Sequence, residues 1–153
     1  MNDTPYERTD GPLCVSTDRA RLDVDLVHRV LGATYWAAGI PREVVERSIA
    51  GSVAFGLYDG AEQVGFARVV TDLATYAYLC DVFIVEQRRG TGLGDWLVAS
   101  IMLHPQLQGL RRFALFTRDA ASLYRRHGFS ATEVPTGYME IVKRDIYAKR
   151  PAS

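Results

Sequence analysis

Between residues 88 and 94 the chain reads Arg-Arg-Gly-Thr-Gly-Leu-Gly, two cations followed by glycines at alternate positions. Glycine lets backbone N–H groups approach a ligand with no Cβ in the way. Free N–H groups at the start of a helix, at the positive end of its dipole, attract anions. Arginine adds a planar cation that matches phosphate oxygens. These types at this spacing allow a phosphate cradle; the alternative is a surface loop that turns on its glycines. Two familiar cradles do not fit. A P-loop places Lys and then Ser or Thr after its last glycine, where this chain has Asp95 and Trp96. A dinucleotide loop needs glycine at position 95 and leaves its strand without a charged insert such as Glu86-Gln87-Arg88-Arg89.

The elements that position this loop follow from hydrophobic period. "TYAYLCDVFIV" (75–85) reads as a strand, and the amphipathic run to His104, stopped by Pro105, as a helix. On a regular strand Asp81 shares a face with Phe83, while Cys80, Val82 and Ile84 face the other way. Upstream, "PLCVST" is a short strand, and Asp23 or Asp25 opens a helix on which Leu26, Val27, Val30 and Leu31 recur. Pro41 suits the first turn of a second helix through "REVVERSI". "SVAFGLYD" and "QVGFARVVTD" flank Gly60-Ala61-Glu62 as a hairpin. Downstream, "LRRFALFT" is a strand, Thr117 or Asp119 caps a short helix through "AASLYRR", and Gly128 ends it. After a turn at Pro135-Thr136-Gly137, "YMEIVK" predicts a last strand. The order predicts one mixed α/β domain over residues 1–153, with 1–11 a flexible lead and 143–153 a charged tail.

The length of 153 residues suffices to bury roughly 70% of the unfolded surface of one domain. Equal numbers of basic and acidic residues remove the net positive charge on which non-specific nucleic-acid binding relies, so no nucleic-acid partner is expected. The N-terminus has no apolar core of a signal peptide, and no apolar run approaches the ~20 residues of a membrane span. A cytoplasmic location is therefore expected, with no membrane partner. Cys14 and Cys80 fall in separate strands and read as reduced thiols. His28, His104 and His127 form no metal-ligand pair at a useful spacing, so no metal is implied.

Arg89-Gly90-Thr91-Gly92-Leu93-Gly94 resembles the Arg/Gln-x-x-Gly-x-Gly/Ala signature of the GNAT N-acetyltransferases, where it wraps the diphosphate of acetyl-coenzyme A. "SLYRRHGF" (122–129) resembles the family's second landmark, a Leu-Tyr ahead of a basic pair and Gly-Phe. "LCDVFIV" matches its fourth strand in position and type. "GFARVVTD", "RRFALFTRDAASLYRRHGF" and "MEI" are similar to segments of a bacterial branch of the family.

The resemblance implies a splayed central sheet flanked by helices, with acetyl-CoA as acyl donor. Val82, Phe83 and Ile84 would pair with the pantetheine arm as with an added strand. The N–H groups of Arg89, Gly90, Thr91, Gly92, Leu93 and Gly94 would hold the diphosphate. A strand N–H near Ile84 would meet the carbonyl oxygen as it gains charge. Tyr124 would be the general acid for the departing thiolate, its alternative being a core aromatic. Asp81 is a candidate base and Asp72 a second, beside an acceptor that arrives neutral. Tyr35 and Trp36 would form an aromatic wall at the acceptor site, or a core pair at a helix end. Many relatives carry asparagine where this chain has Thr117, which leaves details of those members in doubt here. The function implied is acetyl transfer to the amine of a small molecule, by direct attack in a ternary complex. The alternatives are a non-catalytic acyl-CoA sensor or interaction module, a protein N-acetyltransferase, or a different acyl donor. A long acidic acyl group would want Arg68. The tail, anchored by Tyr147, packs on the domain or on a second subunit, so a homodimer is open.

Overall fold

The computed structural model describes residues 4–132 and 137–148. Six strands form one sheet in chain order: β1 (Glu7–Asp10), β2 (Leu13–Ser16), β3 (Val53–Asp59), β4 (Glu62–Thr71), β5 (Tyr76–Ile84) and β6 (Arg112–Leu115). Neighbours from β1 to β5 are antiparallel, and β6 lies parallel to β5. A parallel neighbour cannot be reached by a tight turn, and the connection to β6 carries the helix α3 (Leu93–Met102).

Helices cover both faces. α1 (Val24–Gly32) and α2 (Arg42–Ala50) bury Val27, Leu31, Val45 and Ile49 against Phe66 and Phe83. On the opposite face α3 buries Leu97, Val98 and Ile101 against Phe55, Leu57, Val69 and Leu79. The short α4 (Ala121–Arg125) adds Tyr124 to that second cluster. The local signals act as expected at the helix ends. Asp23 accepts from the Leu26 N–H at 3.0 Å to cap α1, Pro41 stands at the N-cap of α2, and Thr117 Oγ1 accepts from the Ala120 N–H at 3.0 Å before α4.

Two expectations need correction. The lead is not free of structure over residues 7–10, which pair with β2 across the tight turn at Gly11-Pro12. Tyr6 and Arg8 anchor it, donating to the Ser100 carbonyl at 2.8 Å and to Ser100 Oγ at 3.1 Å. In the other direction, "YMEIVK" forms no strand in the described residues, and Tyr138, Met139 and Ile141 are exposed. Its apolar residues come in adjacent pairs, not in alternation, so an extended chain would present no single apolar face. Pro135 and Thr136 lie outside the described residues. Tyr147 packs on the α1–α2 cluster, its carbonyl lying against Gly39.

Asp72 proves to be a turn residue. Its carboxylate accepts from the N–H groups of Ala74, Thr75 and Tyr76 at 2.9, 2.8 and 3.2 Å and from Thr75 Oγ1 at 2.7 Å, closing the β4–β5 connection. These donors, Thr75 first, hold its carboxyl well below the usual carboxylate range. A depressed folded-state pKa adds stability that is full above the unfolded value of ~3.9 and is lost as pH falls through the folded one. Asp72→Ala therefore lowers stability at pH 7, and urea unfolding shows the gap to the wild-type protein closing below about pH 4. A gap that persists unchanged in acid would sink this account.

Candidate active site

β5 is the strand on which the site is built, and it is irregular at one point. Phe66 pairs with Phe83 and Arg68 with Cys80, so Ala67 alone faces both Asp81 and Val82. This is a β-bulge, and Asp81 takes the left-handed conformation there with φ 56. Aspartate is one of the few residues that visit this region at modest cost. The bulge inverts the alternation along the strand. Ala77 and Leu79 before it and Val82 and Ile84 after it pack on the α3 side, while Phe83 faces α1 and α2. Asp81 shares the Phe83 side as expected. Cys80 does not lie with Val82 and Ile84: its register partner is Arg68, which reaches Asp81. Burial pushes the Cys80 thiol up to about 12, so it stays protonated and unreactive near neutral pH.

Pairing between β5 and β6 stops at Leu79 and Leu115, so residues 80–84 have no partner on that side among the described residues. The Val85 N–H donates to the Val64 carbonyl at 2.9 Å, toward β4. Strand geometry turns the preceding Ile84 N–H the other way, into the open side. The Ile84 carbonyl accepts from Arg89 Nε at 3.1 Å.

The glycine loop follows directly. Gly90 and Gly92 have φ of 76 and 83, values that favour glycine, and Gly92 is the N-cap of α3 with no side chain capping the first turn. The leading N–H groups of α3 are thus not met by a cap side chain, and the Trp96 N–H is the first to find its helical carbonyl, at Gly92. Thr91 Oγ1 donates to the Arg88 carbonyl at 2.7 Å and tightens the turn. Of the two arginines, Arg88 is held by Asp59 at 2.6 Å, a pairing of residues far apart in sequence, which leaves Arg89 as the exposed cation. Asp95, in the first turn of α3, is drawn away to His127 at 2.9 Å and Arg126 at 3.2 Å.

Tyr124 is buried on α4, edge-on to Phe129, and its phenol makes no hydrogen bond with a described residue. Burial first, then the Asp119 carboxylate and the Tyr35 phenol, raise its pKa above 10. A cavity of about 600 Å³ runs along the outer edge of β6, lined by Phe113, Leu115, Thr117, Tyr124 and Phe129 among others. It does not extend to residues 82–84 or 89–94.

The acceptor candidates come together. Trp36 Nε1 donates to Asp81 Oδ1 at 2.9 Å, and Arg68 Nε donates to Asp81 Oδ2 at 3.0 Å. The Arg68–Asp81 pair is largely buried, where losing either partner would strand a charge. Arg68 is therefore held by Asp81 through Nε. Tyr35 packs edge-on against Trp36 with centroids 5.0 Å apart, and Arg118 lies over the Tyr35 ring at 3.7 Å. Tyr35 and Trp36 are 52% and 46% exposed, so they are not core aromatics. The sequence gives no local signal for Arg118, which meets Tyr35 only through the fold.

Residues 50–131 match a family model described as an acetyltransferase (GNAT) domain. A candidate acetyltransferase of Gibberella zeae is 33% identical, covering 80% of this chain and 81% of that protein. A solved candidate acetyltransferase of the GNAT family from Xanthomonas campestris pv. campestris has a TM-score of 0.86 at 46% identity, covering 90% of this chain and 97% of that one. The fold is shared at a TM-score of 0.59 and 12% identity with a candidate acetyltransferase of Clostridium acetobutylicum solved with acetyl-CoA, over 91% of this chain and 96% of that one.

Proposed function

The chain belongs to the GNAT acetyltransferases, and from that membership we propose that it moves the acetyl group of acetyl-CoA to the amine of a small molecule by direct attack in a ternary complex. The observation that carries this reading is a juxtaposition. The uncapped first turn of α3, behind the left-handed Gly90 and Gly92, stands next to the stretch of β5 that β6 leaves unpaired. An anion and an extended chain can be bound side by side there. Arg89 to Gly94 are the residues for the diphosphate, and Val82 to Ile84 those for the pantetheine.

When bound, acetyl-CoA supplies an acyl carbon with a thiolate as leaving group. The Ile84 N–H, turned to the open side, stabilises negative charge on the carbonyl oxygen; such donors are worth about 10²–10³ in rate. Tyr124 keeps its proton at neutral pH, and no described residue holds its hydroxyl, so it can protonate the leaving sulfur. Asp81 is the carboxylate at the bulge. With Arg68 and Trp36 on its two oxygens, it is better suited to fixing the acceptor wall than to removing a proton. The acceptor nitrogen then either arrives neutral or loses its proton through water at Asp81.

Calorimetric titration of acetyl-CoA and of free CoA into the wild-type protein tests the reading. One site per chain with an affinity on the order of micromolar is expected, in keeping with ordinary KM values. A folded protein that binds neither ligand would remove the basis for the proposal.

A further inference from the structure

We infer that the acceptor carries an anionic group, a carboxylate or a phosphate ester, and that Arg118 binds it. The inference rests on the acetyltransferase reading above and names the class of its second substrate. Arg118 lies in the loop between β6 and α4, on the approach to Tyr124, with its guanidinium 3.7 Å from the centre of the Tyr35 ring. A guanidinium laid on an aromatic face keeps its in-plane N–H donors pointing outward and loses little freedom when it binds. Among the described residues nothing accepts a hydrogen bond from Arg118, and neighbouring Asp119 makes no ion pair with it. The other cation of this wall, Arg68, is held by Asp81.

The surroundings place this donor where an acceptor must sit. Tyr35 joins Arg118 to Trp36, and Trp36 is bonded to Asp81 on the bulge of β5. One continuous wall thus runs from the strand with the open N–H to the guanidinium, with two half-exposed aromatic rings between. A small amine whose nitrogen reaches the acyl group beside β5 lays its body on those rings and its far end at Arg118. A carboxylate or phosphate is the group that satisfies a planar fork of donors there. A neutral end would leave the fork to water.

Matched acceptors distinguish the outcomes: phenylalanine against phenylalaninamide, β-alanine against β-alaninamide, and phosphoethanolamine against ethanolamine, each read by CoA release. The anionic member of at least one pair is expected to lead in kcat/KM by 10-fold or more, and which pair leads separates carboxylate from phosphate. Arg118→Gln is expected to raise KM for the leading anionic acceptor by about 10–100-fold, the loss of charge-assisted bonds. The neutral partners lose less than the anionic one, and acetyl-CoA affinity is kept. Arg118→Lys retains part of the margin, because the charge remains and the fork does not. Equal or better use of the neutral members, no turnover of any pair, or an Arg118→Gln effect that is the same for both members overturns the inference. Acetyl-CoA binding with neutral amines preferred would sink the anionic acceptor alone, whereas no acetyl-CoA binding would sink the acetyltransferase reading with it.

Discussion

Tyr124→Phe lowers the rate of acetyl transfer by about 10²–10⁴, the usual contribution of a positioned general acid, and leaves acetyl-CoA affinity unchanged. The substitution is unusually clean. The ring is what packs, in the cluster on the α3 side and edge-on to Phe129, and phenylalanine keeps it. The hydroxyl makes no hydrogen bond with a described residue, so its removal orphans no described polar group. Steady-state kinetics should show the loss in kcat, and urea unfolding should show little change. The pH profile gives a second check. Burial raises the Tyr124 pKa above the ordinary tyrosine value, so the acid form persists through neutral pH, and any alkaline fall in rate caused by its ionisation is displaced upward and vanishes in the variant. Equal turnover by wild-type and variant proteins would return Tyr124 to the status of a core aromatic and favour a non-catalytic acyl-CoA-binding role.

Gly92→Glu acts on binding, not turnover. Beyond its chain neighbours, a Cβ at this position meets no atom within 4 Å, so the first atom of a side chain enters open space. It does force a side chain into φ 83, at a cost of about 1–2 kcal/mol. It also sets a carboxylate among the N–H groups proposed for the diphosphate. Losing two charge-assisted hydrogen bonds, at about 1.5 kcal/mol or more each, weakens acetyl-CoA binding by 10²-fold or more. Gly92→Ala separates the two causes, since it carries the strain without the charge and should lose stability while keeping most of its affinity. Calorimetry on both variants decides. Unimpaired binding by the glutamate variant would move the diphosphate away from this loop.

What could be read in advance divides by sequence distance. The Asp23 cap, the Pro41 helix start and the glycines that open α3 act on residues a few positions away, and each was visible as a type in a place. The bulge at Asp81 was not. Its existence depends on Ala67 lying opposite two residues, a property of the pairing with β4 and not of β5 alone. For the same reason regular alternation misplaced Cys80. Asp59 takes Arg88 out of the phosphate-binding set from 29 residues away, and Arg118, in the loop after β6, meets Tyr35 in the connection between α1 and α2. Charge pairs between distant elements have no period and no spacing, so only the assembled sheet reveals them. "YMEIVK" failed for the opposite reason. Its β-branched and aromatic content is a local preference, and such preferences yield to whether a buried face exists to receive them.

Among the described residues one joint of the sheet is parallel, and it bears on the order in which the protein is made. Every strand from β1 to β5 pairs antiparallel with its neighbour in sequence, so a nascent chain that has reached Ile84 already holds all of these antiparallel partners and lacks β6. The glycine loop, α3, β6, Arg118 and Tyr124 all come later. Since domains are synthesised from the N-terminus, the ribosome delivers the strand and the acceptor wall first and the residues proposed for the diphosphate and the acid last. A chain cut short after β5 retains Asp81 with both Arg68 and Trp36, yet lacks the loop, the acid and the cation that give those residues work to do.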